Sequence, residues 1–184
     1  MKKEIIISGF GGQGVMSIGK NLVEAGMAEG FQVTWAPSYG PEMRGGTANC
    51  NVKISDEEIA SPYCDQLDIL FTLNDAAIDK FESQLRPGGL LLVNSDLARP
   101  DRVYRDDIVV VKVPANETAA EIGNTRGTNI VMLGAMSEAS PYFDKDYMRG
   151  AIDHYFAKKG KVNAKNAVCF DRGAEIAAEQ LKKG

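Results

Sequence analysis

At 184 residues, 44% of them hydrophobic and 25% charged, the chain has the make-up of one soluble globular domain with a single substantial core. A net charge of −4 argues against a general nucleic-acid binder, and the short basic run Lys158–Lys165 reads as a solvated loop or helix end. No apolar stretch approaches a membrane span, and Met1-Lys2-Lys3-Glu4 leads into a strand-like run without a signal-peptide pattern.

Residues 4–8 read as a buried strand, because Ile5-Ile6-Ile7 is short, β-branched and followed by glycine. The glycine turn Ser8-Gly9-Phe10-Gly11-Gly12-Gln13-Gly14 comes next. A helix then runs from Gln13 to about Ala28, with Val15, Ile18, Leu22 and Ala25 as its inward stripe. Met16, Val23 and Met27 make a second stripe, which fits either a helix sandwiched in its own domain or a protein interface. Gly30 suits the residue just past the helix end.

Phe31–Trp35 alternates as a second strand, and Ala36–Gly46 reads as a loop dense in glycine and proline. Thr47–Ser55 is a third strand with Ala48, Cys50, Val52 and Ile54 on one side. Ile59-Ala60-Ser61-Pro62 looks like a crossover toward the next strand, Leu67–Leu73. Asn74 can cap a helix that turns Ala77, Ile78, Phe81 and Leu85 inward. Pro87-Gly88-Gly89 turns the chain into the strand Leu90–Val93, and Ile108–Val113 is a strand covered on both faces. Helices follow at roughly 116–122, 129–139, 145–157 and 172–182. The one at Ile130–Ala139 is apolar nearly all round and so central. Strands alternating with helices predict an α/β fold: a three-layer α/β/α, Rossmann-like domain over residues 1–184 with a largely parallel sheet.

A strand, a glycine turn and a helix in that order leave backbone N–H groups and the positive end of a helix dipole facing an anion. Gly9, Gly11 and Gly14 also satisfy G-x-G-x-x-G. A dinucleotide site, however, needs an acid near the end of the second strand, where this chain reads Thr34-Trp35-Ala36-Pro37-Ser38. No Gly-Lys-Ser/Thr follows the turn either, so it is not a Walker A loop. His154, the only histidine, stands in a helical stretch and reads as structural. Ser38 and Ser61 have no evident base partner. Cys50, Cys64 and Cys169 are scattered, with neither metal-site spacing nor a disulfide framework, which suits a reducing, cytoplasmic setting. The loop from Ser38 to Gly46 gathers Tyr39, Glu42, Arg44 and the pair Gly45-Gly46. Arg44 could grip a phosphate or carboxylate; Glu42 and Arg44 could pair across a subunit boundary, or simply fix the loop's shape.

The motifs Gly9-Phe10-Gly11-Gly12-Gln13-Gly14 and Ser38-Tyr39-Gly40-Pro41-Glu42-Met43-Arg44-Gly45-Gly46 together resemble the gamma subunit of 2-oxoacid:ferredoxin oxidoreductases. Ile59-Ala60-Ser61-Pro62 and Asn129-Ile130-Val131-Met132-Leu133-Gly134 extend the resemblance over nearly the whole chain. It implies one subunit of a complex that oxidatively decarboxylates a 2-oxoacid with coenzyme A, giving acyl-CoA, carbon dioxide and reduced ferredoxin. The resemblance assigns thiamine diphosphate, Mg²⁺ and iron–sulfur clusters to alpha, beta and ferredoxin-type delta partners in a hetero-oligomer. This chain, with no cysteine ladder and no Gly-Asp-Gly…Asn motif, is then expected to be non-catalytic alone. By hypothesis it contributes architecture and a coenzyme A site, with Gly9, Gly11, Gly12, Gln13 and Gly14 as one wall. Ser38, Tyr39, Glu42, Arg44, Gly45 and Gly46 form the other. The brevity of the chain leans toward the 2-oxoglutarate type among pyruvate, 2-oxoglutarate, branched-chain and indolepyruvate enzymes. The competing expectation is a stand-alone Rossmann-like nucleotide-binding or regulatory module.

Overall fold

The computed structural model describes residues 1–40, 46–140 and 142–184. Six strands form one sheet: β1 (Lys2–Phe10), β2 (Gln32–Tyr39), β3 (Thr47–Ser55), β4 (Leu67–Thr72), β5 (Leu85–Asn94) and β6 (Val109–Val113). Their spatial order is β2-β3-β1-β4-β5-β6. Three neighbouring pairs, β1–β4, β4–β5 and β5–β6, run parallel. β3 runs antiparallel to both β1 and β2. The sheet is therefore mixed. A short hairpin between β2 and β3 makes the antiparallel pairing there, whereas parallel neighbours need long crossovers.

The helices are α1 (Val15–Ala28), α2 (Asp75–Phe81), α3 (Ala115–Glu121), α4 (Thr128–Ala139), α5 (Lys145–Lys158) and α6 (Lys165–Leu181). Strand alternation divides the core between two faces. Ile5, Ile7, Ile69, Phe71 and Val111 join Ile18 and Leu22 of α1, Leu133 of α4 and Phe170 of α6 in the larger cluster. On the opposite face Ile6, Leu70, Leu91 and Val93 pack with Ile78 and Phe81 of α2. The α/β/α layering follows, with α1 over β2 and β3, α4 over β5 and β6, and the thinner layer built on α2.

Local signals explain most element ends. Asn74 caps α2 by accepting from Ala77 N at 2.9 Å. At the end of α1, Gly30 (φ 85°) donates to Met27 O and Phe31 to Gly26 O, each at 3.0 Å. These are the two reversed bonds of a Schellman ending. α4 is buried along Asn129–Ser137, and its backbone touches α6. A β-carbon on Gly134 would overlap the carbonyl of Phe170, and one on Gly173 that of Val131.

Several features differ from the sequence reading. β2 continues through Ala36-Pro37-Ser38-Tyr39 instead of breaking into a loop, because β2 is an edge strand and tolerates a proline without a ladder donor. β5 starts at Leu85 and carries Pro87-Gly88-Gly89 within it, at an irregular register against β4. α6 starts at Lys165, seven residues before the expected 172. Finally, β3 is buried on both sides: Asn49, Asn51 and Lys53 are covered as fully as Ala48 and Val52. Segment 56–66 folds over that polar row, with Cys64 N donating to Asn51 Oδ1 at 3.0 Å and Asp65 N to Glu4 Oε2 at 2.6 Å.

Of the second stripe on α1, Met16 and Val23 pack on the core, while Met27 is exposed in a groove beside Tyr147 and His154 of α5. The basic run 158–165 is solvent-exposed. No helix among the described residues is long and apolar enough to cross a membrane.

Candidate functional site

The parallel strands β1, β4, β5 and β6 end along one edge of the sheet, and α1 and α2 leave that edge toward opposite faces. Such a switch of direction opens a crevice between the two strand ends, the usual ligand position in open α/β sheets. A cleft of about 400 Å³ lies there. Gly12, Gln13 and Gly14 from the turn after β1 and Leu73 after β4 form one side. Asn94 and Asn116 and the turn Thr125-Arg126, continued by Thr128-Asn129, form the other.

The glycine turn is fixed from several directions. Gly12 (φ 92°) and Gly14 (φ 83°) hold left-handed conformations that other residues rarely adopt. Gly14 is the N-cap of α1, and a β-carbon there would stand 3.0 Å from Asn129 Cβ. Gly11 N donates to Gly46 O at 3.0 Å, tying the turn to the β2–β3 hairpin. Gln13 N donates to Phe10 O at 3.3 Å.

Two helices begin at this cleft without side-chain caps. α1 starts from Gly14 and α4 from Gly127, and neither has an acid in its first turn. Among the described residues, the N–H groups of Gly12, Gly14, Thr128 and Asn129 meet no backbone or side-chain acceptor. α3 is different: Asp96 Oδ2 accepts from Asn116 N at 2.7 Å and Glu117 N at 2.9 Å. Open N-termini carry partial positive charge and free donors. Arg126 adds a full charge; it is exposed and meets no carboxylate among the described residues. Asn94 Nδ2 donates to Asn116 Oδ1 at 3.0 Å, which leaves Asn94 Oδ1 buried and without a partner among the described residues.

The described lining holds no carboxylate, imidazole or thiol, and its backbone N–H groups and Arg126 suit an anion. The three thiols are free. Burial pushes Cys50 and Cys64 up to about 12, away from the thiolate form that metals and electrophiles need. Among the described residues, no group of three His, Cys, Asp or Glu could hold a metal ion.

Of the residues proposed from sequence, Gly12, Gln13 and Gly14 line the cleft, Gly9 lies in β1 beneath Gln13, and Gly11 and Gly46 bond each other. Ser38 and Tyr39 pair with Asn49 and Ala48 on the edge strand, exposed and outside the cleft lining. Glu42, Arg44 and Gly45 lie outside the described residues. Among the described residues, the side opposite the glycine turn is formed by Asn94, Asn116 and the 125–129 turn, which sequence reasoning missed. The one local signal was the polar run Asn124-Thr125-Arg126-Gly127-Thr128-Asn129 ahead of an apolar helix.

A family model described as pyruvate ferredoxin/flavodoxin oxidoreductase matches residues 4–176. The chain is 39% identical over 177 residues to the ketoisovalerate oxidoreductase subunit VorA of Methanothermobacter marburgensis, covering 96% of this chain and 37% of that relative. It spans little more than a third of the length of the first VorA relatives it matches. It is 38% identical over 181 residues to the 2-oxoglutarate synthase subunit KorC of Methanocaldococcus jannaschii, covering 97% of this chain and 96% of the relative. Among solved structures, the 2-oxoglutarate:ferredoxin oxidoreductase of Magnetococcus marinus, with 2-oxoglutarate, coenzyme A and succinyl-CoA bound, superposes with a TM-score of 0.85. That match has 26% identity over 97% of this chain and 31% of that one. With this α/β fold and a family match over residues 4–176, the chain belongs to the pyruvate ferredoxin/flavodoxin oxidoreductase family, in its gamma-subunit type.

Proposed function

We propose that this chain is the gamma-type subunit of a cytoplasmic 2-oxoacid:ferredoxin oxidoreductase, with 2-oxoglutarate as the oxoacid, and that its glycine-turn cleft holds the phosphate-rich end of coenzyme A. The observation that carries the coenzyme A reading is the convergence on one cleft of two helix N-termini without side-chain caps and of Arg126, which meets no carboxylate among the described residues. Coenzyme A ends in a 3′-phospho-ADP group, whose phosphates suit backbone N–H donors and a guanidinium fork. The Magnetococcus marinus relative, which binds coenzyme A, supports the same reading.

In this reading alpha, beta and ferredoxin-type delta chains supply thiamine diphosphate, Mg²⁺ and the clusters, and the gamma chain alone turns nothing over. It anchors one substrate and presents its thiol end to chemistry performed by the partners. Arg44, in the segment between β2 and β3, remains a second phosphate ligand in the proposal.

The test is a coenzyme A titration of the assembled complex carrying Arg126→Ala and, separately, Arg44→Ala. Loss of one charge-assisted contact should raise the apparent KM for coenzyme A by roughly tenfold or more, with the KM for the oxoacid unmoved. An unchanged coenzyme A KM in both variants refutes the coenzyme A reading and leaves the loops to subunit assembly.

A further inference from the structure

Gln13 stands in the middle of the glycine turn, yet its side-chain amide is already occupied at both ends. Its Oε1 accepts from Phe10 N at 2.6 Å, and its Nε2 donates to Leu73 O at 3.1 Å. Leu73 N in turn donates to Ser8 O at 2.9 Å. The amide therefore bridges the end of β1 and the residue that follows β4, across the crevice mouth. It lies over Gly9: a β-carbon there would stand 2.5 Å from Gln13 Oε1 and 2.9 Å from Leu73 Cβ. One lone pair of Oε1 and one N–H of Nε2 are thereby committed to holding the turn.

We infer that Gln13 is a positioning residue: its amide clamps the glycine turn so that the Gly12 and Gly14 N–H groups are held ready for the coenzyme A phosphates. The inference rests on the coenzyme A reading of the cleft. Glycines carry more backbone freedom than other residues, so an unclamped turn would have to be ordered by the ligand itself. Ordering the turn beforehand removes that cost from binding. It acts on affinity and leaves the chemistry on the partner chains untouched. Gly9 is explained by the same clamp, as the position where a side chain would unseat the amide.

The test uses the assembled complex with Gln13→Met, which keeps length and bulk but loses both hydrogen bonds, and with Gly9→Ala, which displaces the amide without altering it. Each should raise the apparent KM for coenzyme A by roughly tenfold while kcat and the oxoacid KM stay within about twofold. The double variant should cost no more than either single one, because both remove one clamp. Without coenzyme A, backbone amides at 11–17 should exchange hydrogen faster in Gln13→Met than in the unaltered complex. A coenzyme A KM unchanged in Gln13→Met but raised in Arg126→Ala overturns the clamp and spares the cleft. No change in either variant overturns both readings. Failure of Gln13→Met and Gly9→Ala to assemble, or a loss of kcat with the coenzyme A KM unmoved, makes Gln13 purely structural and overturns the inference.

Discussion

Arg102 grips Asp75 with two nitrogens: Nε lies 2.8 Å from Oδ1 and Nη2 lies 2.9 Å from Oδ2. The same Nη2 reaches Asp79 Oδ1 at 2.8 Å, and Arg99 Nε stands 2.9 Å from Asp75 Oδ2. The pair pins the segment after β5 onto the first turn of α2, the helix of the thinner layer. The hydrogen bond from Arg102 is the main cause holding the Asp75 carboxyl well below its ordinary value.

An acid-labile contribution to stability follows. The folded-state pKa of Asp75 is depressed, so the pair stabilises the fold fully above the unfolded value of about 4 and loses that contribution as pH falls below it. Arg102→Ala should cost about 2 kcal/mol at pH 7, and its deficit should shrink as pH falls from 4 toward 2. Urea midpoints measured for both proteins across that range check the sign. A deficit that grows on acidification contradicts it.

The contact between α4 and α6 predicts a different failure. Gly134→Ala places a methyl group against the Phe170 carbonyl, where only backbone movement can relieve the overlap. Overpacking of this kind should cost roughly 3 kcal/mol, about 10 °C in Tm for a domain of this size. Gly150→Ala on α5 is the control, since nothing lies within 4 Å of a β-carbon there. Thermal unfolding of the two variants should separate them clearly.

At the far edge of the sheet, Gln180 of α6 acts as a surrogate strand. Its Oε1 accepts from Lys112 N at 2.9 Å and its Nε2 donates to Lys112 O. Gln180→Leu should lower stability by about 1 kcal/mol and expose the β6 edge to pairing with other chains. Light scattering against protein concentration should show association that the unaltered protein lacks.

Much of this architecture is legible in the chain. Ile5-Ile6-Ile7, Leu67–Leu73 and Ile108–Val113 read as buried strands, Asn74 as a cap, Gly30 as a helix stop and Ile130–Ala139 as a central helix, because each signal is local. What escaped depends on distant partners. The alternation of Asn49, Asn51 and Lys53 looks like a half-exposed strand until segment 56–66 covers it. Pro37 looks like a loop residue until β2 proves to be an edge. The glycine turn announced one wall of the cleft, but no spacing along the chain brings Asn94, Asn116 and Arg126 opposite Gly12. The bonds of the Gln13 amide to Phe10 N and Leu73 O likewise depend on how β1 and β4 lie side by side.

The departure of α1 and α2 to opposite sides of the sheet has a consequence for how such a protein can change. The hollow at the ends of β1 and β4 is produced by chain direction, not by any particular side chain. Replacing Arg126, Thr125 or Asn116 alters what the hollow welcomes, yet cannot relocate it. Substitution can therefore change what the hollow accepts without moving it.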